Sequence, residues 1–185
     1  MLGKGGVPNE PRLAFPTAIE GVLHGLGSKV TDQTRRKLLA LGLDVQRMPP
    51  AIPAELMPRI FNVIAEDIWP FEAEDERLRL LGLYFIRGWQ HTLLGRAGAT
   101  FLKIIGPTRT LQRLDRAFRT SDNYTHASTT FLGPTEALLT ISDVDGLPTY
   151  WVGLLEGGLE FLSLKGSVTL ESHPRPEAVY RIKWG

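Results

Sequence analysis

Two sets of side chains in this 185-residue sequence have types and spacing that bear on chemistry: four histidines, His24, His91, His126 and His173, and a run of arginines, Arg109, Arg113, Arg116 and Arg119. No two histidines stand at a metal-ligating spacing such as His-x-x-x-His. His91 is the strongest of the four. It falls near the end of an apolar helix, where it would donate a hydrogen bond or complement the C-terminal dipole as a partly protonated imidazole. The arginines step by four, three and three, which places them along one stripe of a helix. Such a stripe suits a phosphate, an acidic partner or an anionic membrane surface. The competing reading is a solvated face on which Asp115 and other acids compensate.

Catalytic motifs are missing. There is no Gly-x-Ser-x-Gly elbow and no Ser-x-x-Lys. Gly25-Leu-Gly-Ser-Lys29 has the wrong spacing for a phosphate loop and reads as a helix stop. Asp143, Asp145 and Gly146 make a turn, since a calcium loop needs more oxygen ligands and a distal glutamate. With no cysteine, disulfides, thiolate zinc sites, iron–sulfur clusters and cysteine nucleophiles are excluded. The expectation is a chain that is not an enzyme and has no catalytic residue, metal or cofactor. An enzyme that pairs His91 with nearby carboxylates is the lesser reading.

The elements that would position these residues follow from periodicity. Apolar residues at helical spacing place helices at Thr17–Leu26, with Thr17 as N-cap, and from Thr31-Asp32 to Leu41. Met48–Pro53 is a proline-rich connector. A third helix runs over about Ala54–Ile68. The fourth starts in the acidic cluster Glu72, Glu74, Asp75 and Glu76 and continues to Trp89. It is apolar nearly all round, which marks a buried central helix, and Gly82 and Gly88 would let another helix approach. Gly95–Ile105 and Thr108–Arg119 are the fifth and sixth helices, divided at Gly106-Pro107.

After Thr120 the period changes to two. Strands are expected at Tyr124–Leu132, Ala137–Ser142, Ser167–Ser172 and Ala178–Trp184, with a helix over Thr149–Leu164. Gly153, Gly157 and Gly158 inside that helix suggest that it lies flat against a sheet. The order of six helices, then β-β-α-β-β, gives an α+β fold: a helical N-terminal half packed with a C-terminal antiparallel sheet. Residues 1–14 read as a flexible lead-in and 15–185 as one domain.

Composition narrows the partners. A net charge of +1 argues against nucleic acid, and no apolar run is long enough to span a bilayer. Without a hydrophobic leader the expected location is the cytoplasm. Phe85, Trp89, Phe101, Phe118 and Trp151 are the aromatic residues placed to line a pocket between helices and sheet for a small apolar ligand. The expected function is a non-enzymatic regulatory or adaptor module. The alternative is a pure protein-interaction module, acting as a homodimer or with another protein.

An ordered set of motifs adds a resemblance: Ile19-Glu-Gly-Val-Leu23, Leu39-Ala-Leu-Gly-Leu-Asp44, Leu81-Gly-Leu-Tyr-Phe-Ile-Arg-Gly88, Thr92-Leu-Leu-Gly95, Phe118-Arg-Thr-Ser-Asp-Asn-Tyr-Thr125, Gly153-Leu-Leu-Glu-Gly157 and Tyr180-Arg-Ile-Lys-Trp184. With these the chain resembles a paralogous family of domains of unknown function expanded in myxobacteria. More distantly it is similar to a ligand-binding superfamily that includes haem nitric-oxide sensors, vinyl-reductase-type domains and Bet3-like subunits of tethering complexes. That likeness implies a hydrophobic ligand or a protein partner. The haem branch carries an axial histidine on the helix before the sheet, and Thr108–Arg119 has none. The vinyl-reductase-type branch often carries cysteines, which are absent here.

Overall fold

Proline opens the first helix. Pro16 has no N–H to leave unsatisfied and its ring presets φ, so it takes the first helical position of α1 (Pro16–Leu26). Thr17, expected as the N-cap, sits inside the first turn instead, where its Oγ1 donates to the Thr120 carbonyl at 2.5 Å. The computed structural model describes residues 10–185, without the side chains of Leu94 and Ala99. Of the lead-in expected over 1–14, residues 1–9 lie outside the described residues. Leu13–Ala14 forms a short strand, β1, antiparallel to β2 (Ile52–Pro53) at the end of the proline-rich connector.

α2 (Asp32–Ala40) begins with a reciprocal cap: the Thr34 amide donates to the Thr31 hydroxyl, and the Thr31 amide to the Thr34 hydroxyl. α3 (Met57–Ile68) follows a single 3-10 turn at Ala54–Leu56 and buries Ile60, Phe61 and Ile64. α4 (Glu74–Trp89) carries three carboxylates in its first turn and buries Leu78, Leu81 and Phe85.

α4 is central because two helices meet it at backbone distance. A Cβ built on Gly88 would lie 1.9 Å from the Gly21 carbonyl oxygen of α1. One on Gly82 would lie 1.9 Å from the Tyr150 carbonyl oxygen of α7 (Pro148–Phe161). The expected helix approach at Gly82 and Gly88 is present on both sides. The glycines of α7 face the opposite way from the expectation. A Cβ on Gly153 would collide with the Arg79 carbonyl of α4, and one on Gly157 would press on Ile86. Small residues are needed there because two helix backbones touch, whereas the sheet side of α7 is lined by larger residues such as Leu159.

The sheet has the order β3-β4-β6-β5, antiparallel throughout: β3 (Ala127–Gly133), β4 (Glu136–Ile141), β5 (Gly166–Ser172) and β6 (Ala178–Trp184). Leu139 pairs with Tyr180 and Ala137 with Ile182 in the central β4–β6 ladder. Period-two alternation buries Ala178, Tyr180, Ile182 and Trp184 on one face of β6. One buried cluster runs from Ala14 and Ile19 in the helical half to Ile182 and Trp184.

The fifth and sixth helices differ from the expectation. α5 runs from Leu93 to Leu111 and breaks at Gly106, whose φ of 75° only glycine adopts without strain. A second break follows at Gln112–Arg113, and α6 is only Leu114–Phe118. The reason lies in the sheet. The Leu111 carbonyl accepts from Thr129 Oγ1 of β3 at 3.2 Å, and Asp115 Oδ1 accepts the Ala127 amide at 3.1 Å. These bonds pull the chain out of one continuous helix and turn Phe118 inward. The four arginines therefore do not form a single helical stripe. Arg109 precedes the break, Arg113 sits at it, Arg116 lies on α6 and Arg119 caps it, all four exposed.

Candidate functional site: an apolar cavity between helices and sheet

Where α5 and α6 leave the body, α4, α7 and β6 fail to close on one another. The gap is a cavity of about 130 Å³. Phe85, Ile86 and Trp89 enter it from α4, Leu154, Gly158 and Leu159 from α7, and Ile182 and Trp184 from β6. Leu102, Pro107 and Leu111 of α5 and Leu114 and Phe118 of α6 form its outer wall. Each turns inward because its element exposes a polar face opposite. Gly158 differs from its neighbours: a Cβ there would meet nothing within 4 Å, because it would project into the void.

The wall is almost wholly hydrocarbon. Thr110 and Ser121 are its polar members, and the Thr110 hydroxyl is spent on the Gly106 carbonyl at 2.8 Å. Edge-to-face aromatic pairs stiffen the rim. Trp89 meets Phe161 at 6.3 Å and 82°, and Phe118 meets Trp151 at 5.0 Å and 74°. An apolar space of this volume, with no charged group facing it, favours a ligand of hydrocarbon character.

Phe85, Phe118, Ser121 and Leu154 also border a second, smaller space of about 60 Å³, lined by Phe61, Tyr150 and Trp151. The two rings are thus a partition between two chambers. The smaller chamber ends at Tyr124 and Asp145, where the apolar interior gives way to a polar cluster. The Tyr124 hydroxyl donates to Asp145 Oδ2 at 2.5 Å, and Arg12 donates to Asp143 Oδ2 at 2.6 Å and to Asp145 Oδ1 at 2.9 Å. Asp122 is buried and accepts the Tyr124 and Thr125 amides. Burial pushes the Asp145 carboxyl up to about 6; the Tyr124 hydrogen bond and Arg12 oppose this, while Asp143 and Asp122 reinforce it. Burial likewise raises Asp122 and Tyr124. These groups are engaged with one another, and they fasten β1 to the 143–145 turn.

Of the five aromatic pocket residues expected from sequence, Phe85, Trp89 and Phe118 line the larger chamber, and Trp151 lines the smaller with Phe85 and Phe118. Phe101 lines neither. It is 46% exposed on the outer side of α5, with the Arg113 guanidinium 5.2 Å over its ring. Sequence reasoning missed Leu102, Pro107, Leu111, Gly158 and Trp184. Gly158 carried a usable signal, since a glycine with no backbone to approach costs a helix stability for no packing gain. His24, His91 and His126 are exposed and border neither chamber. His173 lines a separate polar cleft beside Arg12, and its Nε2 is buried without a partner. Among the described residues no group of three or more His, Cys, Asp or Glu is placed to hold a metal ion.

Comparison with known proteins agrees with this architecture. A family model described as a protein of unknown function (DUF2378) matches residues 12–185. No curated protein matches the chain. Among solved structures, a Tt H-NOX double variant is similar at TM-score 0.71 and 14% identity, over 91% of this chain and 93% of that one. An oxygen-binding H-NOX domain related to soluble guanylate cyclases is similar at TM-score 0.65 and 17% identity, over 91% of each chain. A T. tengcongensis H-NOX mutant is similar at TM-score 0.64 and 16% identity, over 89% and 93%. At these identities the shared property is the fold: a helical N-terminal half and a C-terminal antiparallel sheet.

Proposed function

The chain belongs to the family of proteins of unknown function DUF2378, and from that premise we propose that it is a non-enzymatic regulatory module of the cytoplasm that holds a small apolar ligand between α4, α7 and β6. The observation that carries this reading is the dry-walled chamber of about 130 Å³ into which Gly158 opens. A cavity of this size matches ligands on the scale of a single aromatic ring or a short hydrocarbon. Its hydrocarbon wall supplies binding by burial, and its two-chamber shape supplies selection by length.

Haem, which the similar H-NOX domains carry in their titles, does not fit these residues. The chamber wall contains no histidine, cysteine, tyrosine or methionine to ligate iron. Its volume is also well below the several hundred Å³ typical of pockets for drug-sized ligands. The proposal therefore keeps the fold's habit of enclosing a small molecule and departs from the cofactor. The family's expansion in myxobacteria, and a wider kinship with vinyl-reductase-type and Bet3-like domains, belong to the same proposal.

Titration with benzene, followed by methyl NMR and thermal unfolding, tests it. Benzene shifts the methyl resonances of Leu111 and Leu154 and raises the melting temperature in the parent protein, and does neither in Gly158→Leu. Methyl spectra that stay unchanged up to benzene saturation defeat the ligand reading. The alternative, a protein-interaction module, is favoured by exposed apolar side chains, with Phe71 98% exposed and Leu39 58%. Sedimentation at several concentrations separates the two, since association that ignores benzene supports the alternative.

A further inference from the structure

Charge is unevenly distributed along this chain. Residues 93–119 hold six basic side chains, Arg96, Lys103, Arg109, Arg113, Arg116 and Arg119, against the single acid Asp115, a net +5. The whole chain is +1, so the remainder carries −4. The same stretch carries the largest group of exposed apolar side chains. Leu93 and Ile104 are each 78% exposed and Phe101 is 46% exposed.

At 3.6 residues per turn, Leu93, Ala97, Phe101 and Ile104 share about 80° of arc on α5. Arg96 and Lys103 follow on one side of that arc, and Arg113 stacks over Phe101. Arg109 and Arg116 stand exposed further along. The opposite side of α5 sends Leu102 into the chamber. α5 therefore has two apolar sides, of which only the inner one is covered.

We infer that the outer face of α5 and α6 is a docking surface for an anionic lipid bilayer, with Leu93, Phe101 and Ile104 entering the interface and the surrounding cations engaging headgroup phosphates. Three features select a bilayer. The apolar band lies within a basic rim, the pattern of a helix that rests in the interfacial plane. The face is convex: Leu93, Phe101 and Ile104 line none of the molecule's five main clefts, and a convex apolar ridge enters a soft phase more readily than it forms a groove for a peptide. A second copy of this chain is disfavoured, because a two-fold pairing would set one basic rim against the other.

Co-sedimentation of the full chain with vesicles tests this, comparing phosphatidylcholine alone with phosphatidylcholine mixed with phosphatidylglycerol, in low and high salt. Binding is expected to the anionic vesicles only, and to fall steeply with salt as the Debye length shrinks. Each basic residue near an anionic surface is worth about fivefold in partitioning. Arg109→Glu combined with Arg116→Glu then weakens binding at least about twentyfold, while reversing Arg36 and Arg47 on another surface leaves it within about twofold. Leu93→Ser with Ile104→Ser, at positions too exposed to matter for folding, also weakens it at least about tenfold. Gly158→Leu, which fills the chamber, leaves vesicle binding intact, so this inference stands or falls apart from the ligand. Equal binding to neutral vesicles, no binding to either, or indifference to the paired variants would overturn it. Self-association lost in Leu93→Ser with Ile104→Ser would assign the face to a second copy. Retention by poly-glutamate without vesicle binding would assign it to an acidic protein.

Discussion

Gly157 and Gly158 are neighbours in α7 and look onto opposite conditions: a side chain on Gly157 would press to 3.0 Å from Ile86 Cβ of α4, while one on Gly158 would meet nothing within 4 Å. One glycine permits contact and the other borders a void. The difference allows the void to be tested apart from the scaffold.

Gly158→Ala removes a helix-interior glycine without a clash and stabilises the protein by about 0.5–1 kcal/mol. Gly88→Ala places a Cβ within 1.9 Å of the Gly21 carbonyl and destabilises by about 3 kcal/mol. Urea unfolding of the two variants is expected to give opposite signs. The same sign in both would mean that the chamber is closed in solution.

Phe118 stands between the two chambers, so Phe118→Ala joins them. Removing a ring that is 9% exposed costs about 3–4 kcal/mol. The joined space admits ligands longer than the parent takes, which a series of linear alcohols measured by calorimetry reads out as a shifted length optimum. An unchanged optimum would show that the chambers do not share a ligand.

Asp145 carries a pH signature. Its folded value of about 6 exceeds the ordinary 3.8, so folding takes up a proton between the two. The stability this group contributes is complete below pH 3.8 and is lost as pH rises through about 6. A shift of about two units is worth about 3 kcal/mol, and its side chain is only 18% exposed. The stability of the parent minus that of Asp145→Asn therefore falls by about that amount across the window. Unfolding measured at a series of pH values checks it; a flat difference would show that Asp145 titrates normally.

Haem offers a separate check. Protein produced with excess haem, and purified protein titrated with haemin, are expected to show no Soret band of a stoichiometric complex. A bound haem with a defined axial ligand would mean that the chamber opens far beyond its volume of about 130 Å³.

Much of the fold was legible. The change from helical to two-residue period after Thr120 located the α+β division, and the alternation of Ala178, Tyr180, Ile182 and Trp184 gave β6 with its actual bounds. The break at Gln112–Arg113 was not legible, because it is imposed by Thr129 and Ala127 of β3, far along the chain. Local pattern kept Arg109 to Arg119 on one helix for lack of any signal from the strand. The site was half legible for a related reason. Phe85, Trp89 and Phe118 turn inward because their helix faces do, whereas Phe101 lies on an apolar face that the fold leaves uncovered. Periodicity reports that a face is apolar and is silent on what covers it.

The glycine contacts carry a mechanical consequence. Where α1 meets α4 at Gly88, and α4 meets α7 at Gly82 and Gly153, main chain rests on main chain like notched timbers, and neither neighbour can slide a fraction of a turn without collision. Such a frame moves as a piece or stays still. Any rearrangement that admits or releases a guest must then fall to the segment hinged at Gly106 and Gln112, which is also the segment that faces outward.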